Sequence, residues 1–201
     1  MFKLKKVSFK NIIDYPDMEI RSNEVTFICG ESGSGKSTLL KLLNGMNSPS
    51  AGEVLYLGKN INDYNPITLR REVLLCGQSP FLFDGSIRDN FDEFYKYREL
   101  SPINASDILK YLKICAADFE TTAGCGTMSG GERQRVFIAI CLSFCPKVLL
   151  IDEPTSALDD LTANTLMSNV KEFCKNNGIT PIVVSHNKTL ADVYGDSIIT
   201  L

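Results

Sequence analysis

Between Val25 and Met46 the chain changes character twice, and few folds tolerate that sequence of changes. Val25-Thr26-Phe27-Ile28-Cys29 is an apolar strand, bounded by polar residues before it and glycine after it. It runs into Gly30-Glu31-Ser32-Gly33-Ser34-Gly35-Lys36-Ser37-Thr38, and Leu39, Leu40, Leu42, Leu43 and Met46 then recur at helical spacing from Lys36 onward. The loop fits G-x-x-x-x-G-K-[ST] between a buried strand and a helix, the context in which that pattern has a mechanism. Glycines let successive backbone N–H groups turn inward around phosphates, and the helix N-terminus adds a partial positive charge. Lys36 is then placed to reach the β- and γ-phosphates of a nucleoside triphosphate, and the Ser37 hydroxyl to ligate Mg²⁺.

A second strand, Val148-Leu149-Leu150-Ile151, ends in Asp152-Glu153-Pro154. An apolar strand that finishes in an acid delivers a carboxylate to the edge of a sheet. Asp152 is the candidate Mg²⁺ ligand; Glu153, one residue on, is the candidate for orienting or deprotonating an attacking water. Further strands read at Glu53–Leu57, Val73–Cys76, Ile182–Val184 and Ser197–Ile199, with helices at Ala105–Ala116 (burying Ile108, Leu109, Leu112 and Ile114) and Asp160–Lys175. The alternation predicts one α/β domain built on a mostly parallel sheet.

Ser129-Gly130-Gly131-Glu132 precedes a long helix whose segment Val136–Phe144 is apolar enough to be buried. A capping box accounts for Ser129 and Glu132. It does not account for two glycines in a first helical turn, where they are poor helix formers. Glycines there let an anion approach the backbone, which makes a second phosphate-binding helix end.

Composition excludes other classes. The 201 residues carry 21 Lys+Arg and 24 Asp+Glu, a net charge of −3 that argues against non-specific nucleic-acid binding. No segment reaches the roughly 18–20 apolar residues of a membrane span, and MFKLKK lacks the apolar run of a signal peptide, so a cytoplasmic chain is expected. The seven cysteines include no C-x-x-C pair. They read as buried free thiols, Cys141 and Cys145 among them, on one helix face.

Met128-Ser129-Gly130-Gly131-Glu132-Arg133-Gln134-Arg135 resembles the LSGGQ signature of the ATP-binding cassette (ABC) ATPases, with Met and Glu at two of its positions. In the same order Gln78 resembles that family's Q-loop glutamine, Ser156-Ala157-Leu158-Asp159 its D-loop, and His186 its switch histidine. The resemblance implies a P-loop NTPase core with a small antiparallel N-terminal β region and an inserted helical subdomain. The boundaries it suggests are a core of 1–78 and 146–201 with helices at about 79–145. It implies ATP hydrolysis with Mg²⁺ held by Ser37, Asp152 and Gln78, and His186 sensing the γ-phosphate. It also implies an ATP-dependent dimer in which Ser129, Gly130 and Gly131 face the other subunit's nucleotide. The family stacks an aromatic on adenine; Phe9 and Tyr15 are the candidates, with an aliphatic such as Ile12 the alternative. Gln78-Ser79-Pro80-Phe81-Leu82-Phe83-Asp84 resembles the exporter-type region that docks an integral membrane subunit, which would hold the chain peripherally on the cytoplasmic face of the membrane. A soluble, non-transport cassette ATPase is the alternative class.

Overall fold

The computed structural model describes residues 1–201. Its organising element is a five-stranded parallel sheet in the order β10-β4-β9-β8-β7, formed by β4 (Thr26–Cys29), β7 (Val73–Cys76), β8 (Val148–Asp152), β9 (Thr180–Val184) and β10 (Ser197–Thr200). A second sheet is antiparallel: β1 (Phe2–Phe9) pairs with β2 (Ile13–Asp14), β3 (Met18–Ile20) and β5 (Ala51–Tyr56), and β6 (Lys59–Asn60) closes the edge against β5. The expected mostly parallel core and small antiparallel region are both present.

The parallel sheet is the middle layer. Alternation along β8 shows why its sequence is apolar throughout: Val148 and Leu150 face one core, Leu149 and Ile151 the other. The first core is shared with α1 (Lys36–Leu43) and the antiparallel sheet, through Leu39, Leu43, Phe2 and Tyr56. The second is closed by α3 (Ile87–Tyr97), α4 (Ala105–Ile114), α5 (Gly130–Ser143), α6 (Asp160–Asn177) and α7 (Lys188–Tyr194). Helix α2 (Pro66–Glu72) leads into β7. A strand with both faces covered has no solvent side on which to place polar residues, and so reads as a continuous run.

Several local boundaries differ from the sequence reading. Helix α1 ends at Leu43, because Gly45 turns left-handed (φ 67°), and Met46 is left 54% exposed beyond it. Strand β5 stops at Tyr56; Leu57 sits in a left-handed turn outside it. In α4, Ile108 and Leu112 are buried, but Leu109 points outward at 42% exposure. Cys145 is exposed, not buried. Proline at 146 disfavours the helical conformation at the residue before it, so α5 ends and Cys145 leaves the face it would have shared with Cys141. No helix is long and apolar enough to cross a membrane.

Both faces of the parallel sheet therefore carry a packed core. Leu149→Ala and Leu150→Ala remove fully buried side chains from opposite faces. Each is expected to destabilise the fold by about 2–5 kcal/mol in urea denaturation. A loss well below that for one variant would mean its face is not close-packed.

Candidate nucleotide site

Parallel pairing brings the C-terminal ends of β4, β7, β8 and β9 to one edge of the sheet. The registers align them, with Ile28 and Asp152 both opposite Val184, and Cys76 opposite Ile151. Gly30 follows β4, Gln78 lies just past β7, Asp152 and Glu153 end β8, and His186 follows β9. Residues remote in sequence thus line one cleft of ≈ 290 Å³, among them Lys36, Ser37, Thr38, Gln78, Glu153 and His186. Ligands in open α/β sheets bind at this edge.

The loop's strongest feature is what its helix lacks. Six of the seven α-helices have a side chain accepting from their first-turn N–H groups: Asn65, Ser86, Asn104, Ser129, Asp159 and Asn187. Only α1 has none, and it starts from the left-handed Gly35 (φ 96°). Its free N–H groups open on the cleft, where an anion would satisfy them. The Lys36 ammonium lies over the same loop, donating to the carbonyls of Gly30 (3.0 Å) and Glu31 (2.7 Å).

Glycine at 35 is also a matter of space. A Cβ there would stand 2.8 Å from the Tyr15 hydroxyl and 3.0 Å from Ile13. Tyr15 is 5% exposed and donates to the Gly35 carbonyl at 2.9 Å. Burial pushes its phenol up to about 12, so it stays a donor. This corrects the candidacy of Tyr15 as a base-stacking residue: its ring lies beneath the phosphate loop, closed to a base. Phe9 is half-buried, with the Lys10 ammonium 5.4 Å from its ring centre, and does not line the cleft. Ile12 is 81% exposed nearby, and the apolar wall of the cleft is Ile13, which the sequence reading did not single out.

The carboxylates stand at the end of β8, and Glu153 lines the same cleft as the loop. Asp152 and Glu153 are both buried, and Asp152 Oδ1, Glu153 Oε1 and Ser34 Oγ make up half of the six buried side-chain polar atoms without a hydrogen-bond partner. Unsatisfied buried groups gathered in one place point to a missing partner. His186 Nε2 comes within 3.0 Å of Glu153 Oε1, which still counts among the oxygens without a hydrogen-bond partner. Burial raises the Glu153 carboxyl above its ordinary value; Asp152 adds to the rise, while His186 and Lys36 oppose it. The Glu153 backbone is left-handed (φ 51°), which is uncommon for any residue but glycine.

Mg²⁺ takes oxygen donors, with one or two carboxylates beside substrate phosphates. The orphaned Asp152 Oδ1 and the Ser37 hydroxyl fit that mode. The chain has no cluster of three or more His, Cys, Asp or Glu side chains that would form an all-protein cage.

The second glycine-rich helix end is elsewhere. Ser129 and Gly130 are exposed at the start of α5 and do not line this cleft. The capping box is present: the Ser129 N–H and hydroxyl both donate to Glu132 Oε2 at 2.7 Å, and the Glu132 N–H donates to Ser129 Oγ. The two glycines differ. A Cβ at Gly130 meets nothing, whereas one at Gly131 would stand 3.0 Å from the Ala157 carbonyl. Gly131 thus has an intramolecular reason to be glycine that sequence spacing does not reveal.

A buried carboxyl whose value is raised on folding weakens the fold while it is ionised. The folded state then holds the proton more tightly than the unfolded one. The penalty is therefore full above the raised folded value and gone below the ordinary value near 4.5. Glu153→Gln is expected to raise the melting temperature at pH 8, with the gain shrinking as pH falls toward 4.5. A gain that does not change with pH would contradict the burial of this charge.

The family model for ABC transporters matches residues 13–156. The chain is 33% identical over 190 residues to the probable iron export ATP-binding protein FetA of Escherichia coli (strain K12), covering 94% of this chain and 84% of that one. Some curated relatives are longer, and of one the chain spans 49%. Among solved structures it resembles the ATP-binding cassette MJ0796 in a dimeric post-hydrolysis state bound to ADP and Pi, with a TM-score of 0.86, 28% identity, and 100% and 94% of the two chains covered. It also resembles cbiO1 from Clostridium perfringens, part of the transporter complex cbiONQ, with a TM-score of 0.85, 29% identity, and 99% and 83% covered. The strand-loop-helix cradle, the buried carboxylates at the end of β8 and these likenesses converge: the chain belongs to the ABC transporter family and is one of its ATP-hydrolysing cassettes.

Proposed function

We propose that two copies of this cassette, or this cassette and a similar one, close around two ATP molecules and drive a separate membrane-embedded subunit. The observation that carries the reading is the bare N-terminus of α1 in one cleft with Glu153, whose buried Oε1 is unpartnered, as is Oδ1 of the adjacent Asp152. In it, the N–H groups of Gly33 to Ser37 and the Lys36 ammonium hold the β- and γ-phosphates. Ser37, Asp152 and Gln78 would hold Mg²⁺, which when bound would supply positive charge to the phosphates. Glu153 orients the attacking water and accepts its proton, a role suited to a carboxyl held above its ordinary value. His186, half exposed and beside Glu153, donates to the γ-phosphate and so distinguishes ATP from ADP. Ser129 and Gly130, exposed on α5 away from their own cleft, serve the nucleotide of the facing cassette. Residues 1–78 and 146–201 form the nucleotide-binding core, with 79–145 as the helical subdomain. Adenine rests against Ile13 and the neighbouring exposed Ile12 or Phe9.

Glu153→Gln should keep ATP binding and slow hydrolysis by about 10²–10⁴-fold, the range for acid–base groups. ATP-bound dimer should then accumulate on size exclusion with ATP and Mg²⁺. Lys36→Ala should lose ATP affinity and give little dimer. Near wild-type turnover of Glu153→Gln would remove Glu153 from the chemistry.

In this reading the membrane partner docks on the segment after Gln78. Leu82 is buried, but Phe81 is 64% exposed and packs edge-on against Phe83 (centroids 4.9 Å apart), which in turn meets Phe94 and the exposed Tyr97. An exposed aromatic on a supported aromatic base is a suitable anchor, and such anchors contribute about 2 kcal/mol or more. Phe81→Asp should leave a folded, ATP-binding protein that no longer co-sediments with membranes of its native host. Unchanged co-sedimentation would place the dock elsewhere.

A further inference from the structure

From Val136 to Leu142 nearly every residue of α5 is buried and apolar, yet the turn before holds a buried glutamine. Gln134 is 3% exposed. Its Nε2 donates to the carbonyl of Glu153 at 3.0 Å and lies 3.4 Å from that of Asp152. Two carbonyl oxygens facing one side chain require a donor, which no apolar residue and no carboxylate supplies.

Those carbonyls belong to the one strained turn in the cleft. Glu153 is left-handed, and such conformations persist only where the surroundings over-determine them. Here the Glu153 N–H donates to Val184 O (3.0 Å), and its carbonyl accepts from Ser156 N (3.4 Å), Ser156 Oγ (3.2 Å) and Gln134. Of these holds, Gln134 alone reaches in from another helix. It is four residues past Gly130 and three past Gly131, which packs against Ala157 in the same loop. The first two turns of α5 are thus fastened to the segment that carries the carboxylate.

We propose that Gln134 is a positioning residue for hydrolysis: by holding the carbonyls of Asp152 and Glu153 it fixes the turn that aims the Glu153 carboxylate. The inference rests on the reading in which Glu153 handles the attacking water. It has a corollary for the pair of cassettes. Ser129 and Gly130, at the tip of the same helix, face the partner's nucleotide in that reading. A shift of α5 on engaging that nucleotide is then transmitted through Gln134 to the carboxylate at its own nucleotide. The bond links one site of the pair to the other.

The test is a double-mutant cycle in steady-state ATP hydrolysis by the full chain, using wild type, Gln134→Met, Glu153→Gln and the double variant. Methionine matches the length of glutamine and donates nothing. Gln134→Met should lower kcat by about 10–100-fold, the cost of misplacing a reacting group, while KM for ATP stays within about twofold. The double variant should be no slower than Glu153→Gln alone, because Gln134 acts through that carboxylate. A kcat for Gln134→Met within about twofold of wild type, or losses that multiply in the double variant, would overturn the proposal. Wild-type turnover by Glu153→Gln would instead sink the reading beneath it. Should Gln134→Met fail to fold, Gln134→Asn, which keeps the donor one methylene short, is measured instead: a fall in kcat at constant KM supports the role, and wild-type kcat overturns it.

Discussion

Hydrogen bonding between β4, β9, β8 and β7 in one direction is the constraint on which the site depends. Parallel pairing sends every strand's C-terminus to the same edge, so the phosphate loop, Gln78, the Asp152–Glu153 pair and His186 converge although they span more than 150 positions of the chain. The same pairing buries both faces of the sheet and so demands uninterrupted apolar strands. Val148–Ile151 is apolar for that reason alone, and its termination in two acids is correspondingly informative. A carboxylate at the end of a buried strand is either solvated or used, and here both are buried.

The cleft is also where the fold tolerates its poorest local chemistry. Half of the buried orphan side-chain polar atoms, a left-handed glutamate and the only α-helix without a side-chain cap belong to the phosphate loop and the end of β8 that border it. Each costs stability, on the order of 1–3 kcal/mol for a strained backbone or an unpaired buried group. Elsewhere the helices are capped and the strands paired. Local violations that coincide, an uncapped helix end beside orphaned carboxylate oxygens and a left-handed turn, mark the place where binding supplies what folding leaves out. The brace beneath the loop belongs to the same economy of structure: Tyr15 anchors the Gly35 carbonyl, and glycine at 35 leaves room for its hydroxyl.

Helix α5 connects this cleft to the rest of the proposed machine. Its buried flank packs on the sheet through Val136, Ile138 and Leu142. Its first turns touch the loop after β8 through Gly131 and Gln134, and Arg133 reaches the carbonyls of Cys125 and Leu82. Leu82 adjoins the exposed Phe81. In the proposed reading, a partner on the Phe81 surface and a nucleotide at Ser129 would both act on this one helix, whose first turns hold the Glu153 backbone.

The chain's own order of residues determined the fold class, the phosphate loop, the acid pair and the capping box, because each is local: strand run, glycine spacing and helical periodicity are all set within a dozen residues. It did not determine which of Phe9, Ile12, Ile13 and Tyr15 faces the cleft, since four apolar or aromatic residues within one seven-residue stretch of short strand and turn differ only in the direction the backbone gives them. Tertiary structure decided that Tyr15 turns inward under the loop and Ile13 toward the cleft. It decided likewise that Gly131 is glycine for the sake of Ala157, and that Gln134 meets the carbonyls of residues nearly twenty positions away. Such contacts arise only when two segments are brought together by a sheet neither of them encodes alone.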